Sequence, residues 1–445
     1  MATPTVAAAR ESSLVRAIGV VGLAAGILNI IIGGGIFRLP ADVARALGPA
    51  APLAYVACAI AMGLIVVCFA EAGSRVDLTG GPYAYVEVAF GRFAGFLAGV
   101  FLWITGAFAT SAVAVVFTAN VAQLVPAIAA GAGRAVFLAA LFVALTAVHV
   151  GGVRQGTAVN TVATIAKVVP LLVLAIAGPF FVDPANLAWL GPPPAAAVSR
   201  TSILLVFAFA GMECALTPSG EVKDVARTVP RAILLAMATA TALYIALQLV
   251  AQGVLGAALA SSEAPLADAG ARIFGPAGRV LIVMGAGISM LGHVSGMTLS
   301  IPRAVFAFAR AGFLPRAVAA VHPRFHTPHA AIALQSAIAC VLAVTSTFDR
   351  LAIFATTALL CLYGACCAAA WELRRRDVRA GGLPFQIPGG RGAPPAAVLA
   401  IAWMLTSVTV TEWAALLGVL TVASLVFVVT ARTRAARAAH GDSVA

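Results

Sequence analysis

Glycine-rich interruptions occur in two of the long apolar stretches of the sequence, and backbone exposed at such an interruption can bind a ligand. The first is Gly33-Gly34-Gly35, and the second surrounds Gly211 and carries Glu213. A broken helix exposes the amide groups that begin its second half, which attract an anion, and the carbonyl groups that end its first half, which attract a cation. A molecule with one carboxylate and one ammonium group satisfies both ends, and an α-amino acid has this form.

Placing an α-amino acid on the breaks predicts its backbone contacts. We expect the amides of Gly34, Gly35 and Ile36 to face the carboxylate. The carbonyls expected to face the ammonium are those near Ile31 and at Phe207, Ala208 and Ala210. The alternative is that the glycines only let helices pack closely, as small residues do in membranes.

The composition indicates which elements carry these breaks. The 445 residues are 62% hydrophobic and only 10% charged, with a mean hydropathy of +1.03. A soluble domain carries about 25% charged residues, so a soluble multidomain enzyme and a disordered chain are both excluded. The sequence therefore predicts an all-α polytopic membrane protein.

Runs of about 20 apolar residues, the length needed to cross a bilayer, predict twelve transmembrane helices. The first and the sixth contain the breaks. The predicted spans are 14–47, 52–73, 88–125, 132–150, 155–181, 200–218, 229–255, 276–308, 329–347, 350–371, 395–411 and 413–431.

The basic residues predict the orientation of these spans. The net charge is +12, and most of the 28 lysines and arginines fall in segments that are cytoplasmic if the N-terminus is inside. The positive charge therefore indicates topology and not a nucleic-acid surface. We expect both termini in the cytoplasm, a bacterial cell inner membrane as the location, and span one to act as an uncleaved signal anchor.

The positions of the two breaks predict an internal repeat. Spans one and six each head a group of five, and since five is odd, the second group is inverted relative to the first. Paired breaks at corresponding positions are typical of the binding site of a secondary transporter. The predicted organisation is a tail at 1–13, a first repeat at 14–181, an inverted repeat at 200–371, a cytoplasmic loop at 372–394, helices 11 and 12 at 395–431, and a tail at 432–445.

Five motifs resemble the amino acid–polyamine–organocation (APC) superfamily and occur in the order of that family. They are residues 32–40 (IGGGIFRLP), 79–85 (TGGPYAY) with Glu71, 209–213 (FAGME) with 220–232, 302–325 with its HPRF end, and 384–390 (PFQIPGG). The resemblance implies a LeuT-like five-plus-five fold, with helices 11 and 12 outside the repeat. It also implies alternating-access transport of amino acids or related amines, with Phe207 as an aromatic gate and Met297 in the side-chain pocket. Ordinary packing is the alternative for both side chains.

Lys167 lies near the middle of span five, where a charged side chain is costly and usually functional. In sodium-independent members of the resembled superfamily, a basic residue of this span can occupy the place of a sodium ion. The hypothesis is that Lys167 carries or mimics the coupling cation. The alternative is a fixed strut that bonds carbonyls of span one.

Three further side chains have two interpretations each. Glu213 is either a cap or gate of the second break or a residue that selects the substrate. His293, in span eight, either joins a proton path or packs between helices with a bond to a carbonyl. Glu71 is expected to pair with arginines of the loops.

The sequence thus predicts a secondary active amino acid transporter that is proton-coupled, sodium-independent and slightly selective for neutral amino acids. An exchanger of the same fold and a sensor that binds without transport remain alternatives. Motifs for catalysis within the membrane, such as H-E-x-x-H or G-x-S-x-G, do not occur, so no enzyme activity is predicted. No cofactor, metal or obligate protein partner is predicted.

Overall fold

The computed structural model is helical throughout the residues that it describes. These are residues 19–76, 78, 81–151, 157–189, 191–215, 222–310, 312–379, 383–386 and 390–439, without the side chains of 157–166, 214–215 and 432–439. The predicted tail 1–13, the beginning of predicted span one and the last six residues of the predicted tail 432–445 lie outside this set. Parts of the motifs at 79–80, 216–221, 311 and 387–389 also lie outside it.

Fifteen α-helices are described, and no β-strand occurs within the described ranges. In chain order they are α1 (Val20–Ile31), α2 (Gly35–Leu47), α3 (Ala51–Arg75), α4 (Pro82–Phe90), α5 (Arg92–Ala122), α6 (Gly131–Val150), α7 (Thr157–Ala177), α8 (Ala195–Phe209), α9 (Met212–Ala215), α10 (Val225–Leu255), α11 (Pro265–Arg310), α12 (His329–Thr345), α13 (Phe348–Arg375), α14 (Ala393–Leu405) and α15 (Val410–Ala439).

The length and apolarity of these helices fit a polytopic membrane protein. Within the described residues, seven helical segments are long and apolar enough to cross a membrane, and four apolar helices are shorter. The shorter ones include α1 and α12, which each lie within a predicted span, and α8, which begins at Ala195, before the predicted span 200–218. Most predicted spans coincide with one described helix or, at the breaks, with two. Because only seven segments meet the length requirement, the number twelve stays a prediction.

Two boundaries differ from the sequence prediction. Predicted span 88–125 combines parts of α4 and α5, which are separate helices because Gly91 has a φ of 88° that a helix does not allow. The long α11 is bent at Gly275, whose φ is 70°, and predicted span eight begins at the next residue, Pro276. Glycine fits both bends since it has no Cβ.

The core lies where α5 packs against α13 and α11, and where α3 packs against α10. Tyrosines from three of these helices are fully buried, which is costly in an apolar region unless the hydroxyl is bonded. The last helix, α15, is mostly exposed and apolar, as a lipid-facing helix must be. The central helices therefore form a packed scaffold around the two breaks.

Both predicted breaks are present. The first separates α1 from α2 at Ile32-Gly33-Gly34, and the second separates α8 from α9 at Ala210-Gly211. The halves pack crosswise, α2 against α8 and α9 against α1. Gly35 permits this approach, because a Cβ there would lie 3.2 Å from Ala208 Cα.

Candidate binding site at the helix breaks

The two breaks face one small internal cavity. Its volume is about 30 Å³, enough for only a few water molecules, so a larger ligand requires the surrounding helices to separate. The lining residues are Ile30, Ile31, Gly33, Gly34, Gly35, Thr105, Ala109, Val113, Phe207, Ala210, Gly211, Glu213, His293 and Met297. Most residues predicted from the sequence therefore meet in one place. Ile36, Ala208 and Lys167 are buried next to it but do not line it.

The first break leaves the start of α2 open. Gly34 is the N-cap of α2, and no side chain among the described residues caps this end. The first amides of a helix have no acceptor within the helix, so those of α2 are available to an anion. Added side chains would fill this space, since a Cβ at Gly34 would lie 2.9 Å from Val113 Cγ1. The glycines at the first break thus permit close packing against α5.

The second break is closed by its own side chain. Glu213 is 2% exposed, and both of its carboxylate oxygens accept a hydrogen bond from the Gly211 amide at 3.0 Å. The Tyr363 hydroxyl donates to Glu213 Oε2 at 2.8 Å. Gly211 has a φ of 118°, which turns the chain sharply between α8 and α9. This geometry corresponds to the cap interpretation of Glu213, and the carboxylate still lines the cavity.

A tyrosine that sequence reasoning missed joins the two breaks. The Tyr244 hydroxyl on α10 donates to Ile31 O at 3.0 Å and to Ala208 O at 3.1 Å. Two of the carbonyls predicted to face an ammonium therefore already accept a protein donor. A third, Phe207 O, accepts the Ala210 amide at 3.4 Å. In the sequence, Tyr244 is visible as a hydroxyl-bearing residue within an apolar span, but the sequence does not indicate which carbonyls it bonds.

Lys167 lies behind the first break. Its ammonium group donates to Asn29 O, in the last turn of α1, and to Ile32 O at 3.1 Å. Ser289, on α11, also donates to Ile32 O, at 3.3 Å. Lys167 is 7% exposed, so its charge is enclosed by these carbonyls. The contacts are those expected of the strut, whereas the coupling hypothesis stays a prediction.

The apolar wall of the cavity comes from several helices. Phe207 packs edge-on against Phe348, with ring centroids 5.6 Å apart. Ala109 and Val113 on α5 face it together with Met297 on α11. The two α5 residues were missed in the sequence, because small apolar residues in an apolar helix carry no periodic signal that distinguishes a binding wall from ordinary packing.

His293 also lines the cavity, without the partner that one interpretation required. It makes no hydrogen bond to any residue of the described chain, and its Nε2 is buried. The other histidine beside α11, His149, donates to or accepts from Ser295 Oγ at 3.1 Å. A packing role with a bond to a neighbouring carbonyl is therefore not what the structure shows for His293.

Away from the cavity, Glu71 pairs with arginines, as predicted. It is fully buried and bonds Arg75 at 2.9 Å and Arg374 on α13. Both partners lie at the ends of helices and not in loops. In the first part of α2, after the first break, Arg38 bonds Glu263 at 2.7 Å.

Comparison with known proteins identifies the family. A family model described as amino acid permease matches residues 18–436. The chain belongs to the amino acid permease family. It is 33% identical over 398 residues to an uncharacterized transporter of Mycobacterium tuberculosis (strain ATCC 25618 / H37Rv), covering 88% of this chain and 87% of that protein.

Two relatives from Bacillus subtilis (strain 168) carry more specific names. This permease is 27% identical over 438 residues to a methylthioribose transporter, covering 95% of this chain and 94% of that one. It is 29% identical over 378 residues to a serine/threonine exchanger, covering 82% and 85%. The predicted APC superfamily membership is confirmed. The chain is a multi-pass membrane transport protein and not an enzyme.

Proposed function

We propose that this permease is a secondary active transporter of amino acids that works by alternating access. The observation that carries the proposal is that both helix breaks open onto one cavity with opposite polarity. The uncapped start of α2 and the Lys167 ammonium make one end positive, whereas Glu213 and nearby carbonyls make the other negative. A zwitterion complements this arrangement.

The proposed architecture is twelve transmembrane helices with a LeuT-like five-plus-five inverted repeat. The packing of α2 on α8 and of α9 on α1 supports it. In each contact, the second half of one broken helix packs on the first half of the other, as expected of two repeats related by inversion. The proposed repeats span 14–181 and 200–371, followed by the loop 372–394, helices 11 and 12 at 395–431, and the terminal tails. We place both termini in the cytoplasm and the protein in the cell inner membrane, in accord with the basic residues.

The proposed substrates are neutral amino acids. The side chains around the cavity are mostly apolar and small, including Ala109, Val113 and Met297. The acidic group that could attract a basic side chain, Glu213, is already bonded to the Gly211 amide and to Tyr363. An additional cationic group on the substrate would therefore compete with these bonds for the carboxylate.

We further propose that transport is proton-coupled and sodium-independent, with Lys167 at the coupling position. Its ammonium group supplies a positive charge to the carbonyls of Asn29 and Ile32. Carbonyls at a half-helix end are groups that coordinate a sodium ion in other transporters. Obligate exchange is the second candidate, favoured by the 29% identity to a serine/threonine exchanger.

Counterflow in proteoliposomes tests the transport proposal. Purified protein is reconstituted with unlabelled alanine, serine or leucine inside, and uptake of the same radiolabelled amino acid is measured with sodium and with choline. Saturable uptake that is equal in both salts is expected. Binding in a thermal-shift assay without flux would indicate a sensor and not a transporter. Absence of both binding and flux would reject the amino acid proposal.

Lys167→Ala tests the coupling proposal, and Lys223→Ala is the matched control, because Lys223 is the other lysine of the sequence and is exposed. Uptake driven by an imposed pH gradient should be lost in Lys167→Ala and retained in Lys223→Ala. If counterflow persists in Lys167→Ala while gradient-driven uptake is lost, the lysine couples protons. If both persist, it is a strut. If wild type shows counterflow without any response to the gradient, exchange is the function.

A further inference from the structure

His293 is held against the first break by the face of α11 on which it lies. One turn before it, Ser289 donates to Ile32 O at 3.3 Å, and one turn after it, Met297 lines the cavity. His293 Nδ1 lies 3.0 Å from the position that a Cβ would take at Gly33. The imidazole therefore lies beside the chain that leads into the start of α2.

The hydrogen-bonding capacity of this imidazole is unused within the described chain. Neither ring nitrogen bonds a described residue, and Nε2 is buried. A buried polar group without a partner destabilises the folded state, so a ligand that bonds this imidazole would remove a penalty. His149 shows that a histidine next to α11 can find a protein partner, because it bonds Ser295 Oγ at 3.1 Å.

The other polar side chains of the cavity have partners. The Thr105 hydroxyl donates to Ala355 O at 3.3 Å, and the Glu213 carboxylate accepts the bonds described above. Among the described lining residues, His293 is thus the polar side chain that makes no hydrogen bond. A polar group of a ligand that contacts a side chain at this break would contact His293.

The surroundings of His293 favour an anionic partner. The amides at the start of α2 lack acceptors within the helix, and the Lys167 ammonium lies behind Ile32 O at 3.1 Å. We propose that His293 donates an N–H to the substrate carboxylate and, with these amides, selects substrates that carry one. The inference rests on the proposed amino acid transport and adds a positioning residue to it.

The test compares each amino acid with the amine left after loss of its carboxyl group. Alanine, serine and leucine are paired with ethylamine, ethanolamine and 3-methylbutylamine. Counterflow gives the half-saturating concentration of each amino acid, and inhibition of that flux gives the affinity of each amine. The variants are His293→Leu, which removes the donor, and His293→Gln, which keeps one. Leu291→Ala, on the exposed face of α11, is the control for folding and reconstitution.

In His293→Leu, we expect the half-saturating concentration of the amino acid to rise by about 10- to 100-fold, because a charge-assisted hydrogen bond is lost. Inhibition by the amine should change less than about twofold, since the amine makes no such bond. His293→Gln keeps a donor and should recover part of the amino acid affinity. If the amines do not inhibit wild type, this recovery is the result that decides the test.

An equal loss for amino acid and amine, or no recovery in His293→Gln, would show a packing role and overturn the inference. Unchanged amino acid affinity in His293→Leu would also overturn it. These outcomes differ from failure of the proposed function, in which wild-type protein and Leu291→Ala show neither amino acid flux nor amino acid binding.

Discussion

The two helix breaks both contain glycine, but their hydrogen bonds are completed in different ways. At the first, three successive glycines leave the start of α2 without a side-chain cap among the described residues. At the second, a single glycine turns the chain, and Glu213 bonds the Gly211 amide from within the same segment. The first break therefore depends on something outside the backbone to complete its hydrogen bonds, whereas the second completes them itself.

This difference assigns different roles to the breaks. An open amide cluster beside a positive charge can receive the charged end of a ligand. A break with an internal carboxylate is fixed in shape, and the Tyr363 bond at 2.8 Å fixes it to α13 as well. We infer that the first break supplies ligand binding and that the second supplies a rigid turn with a negative charge. Four substitutions test this contrast.

Gly211→Ala is expected to have the largest effect. Alanine rarely adopts a φ of 118°, and its Cβ would lie 2.4 Å from Ile30 Cγ2. We expect a loss of about 2–5 kcal/mol in unfolding free energy, from backbone strain and overpacking together. Thermal unfolding in detergent, followed by size-exclusion chromatography, measures it. Wild-type stability in Gly211→Ala would show that the second break is not rigid.

Glu213→Ala should have the next largest effect. It leaves the Gly211 amide buried without its acceptor, which costs about 1–3 kcal/mol. Glu213→Gln keeps an acceptor oxygen without the charge and should retain most of the stability. The same unfolding assay separates the two variants, and counterflow then shows whether charge matters for transport. Equal destabilisation by both would contradict the cap and indicate that the charge itself holds the turn.

Tyr244→Phe should weaken both breaks at once. The hydroxyl donates to Ile31 O and Ala208 O, so its loss is expected to cost about 1 kcal/mol. Because freed carbonyls at the breaks can meet a ligand ammonium, substrate affinity should change along with stability. Tyr83→Phe, on the separate helix α4 and away from the breaks, is the matched control. Unchanged substrate affinity in Tyr244→Phe would show that these two carbonyls do not contribute to substrate binding.

Gly33→Ala should have the smallest effect on stability. The nearest side-chain atom to its Cβ would be His293 Nδ1 at 3.0 Å, on a ring that can shift, and Gly33 is not in the left-handed region. We expect the unfolding free energy to stay within about 1 kcal/mol of wild type, while the half-saturating concentration rises. A stability loss as large as that of Gly211→Ala would remove the contrast between the breaks.

Particular helices show how far the sequence predicted the fold. The predicted spans 52–73 and 132–150 lie within a residue or two of α3 and α6, because long apolar runs are shared by every transmembrane helix. The sequence prediction joined α4 to α5, since apolarity continues through Gly91 and only its φ of 88° separates them. Hydropathy detects the membrane environment and does not detect the backbone angle of one residue.

The candidate site was predicted in part for a similar reason. Gly33, Gly34, Gly35 and Gly211 are visible because glycine within an apolar run is unusual, and a family resemblance adds Phe207 and Met297. Thr105, Ala109 and Val113 were missed, because they become wall residues only when α5 packs across the breaks. The partners of Tyr244 and Tyr363 could not be predicted either, since each bond joins residues far apart in the chain.

The sequence by itself determined that this chain lies in a membrane, that two of its helices are interrupted, and that a lysine lies within an apolar span. These are local properties of composition and order. Only the tertiary structure decided that both interruptions face one cavity, that Glu213 caps its own break, that Lys167 bonds Asn29 O and Ile32 O, and that His293 has no described partner. Hydrogen bonds between distant residues depend on how the helices pack, and no single segment encodes that packing.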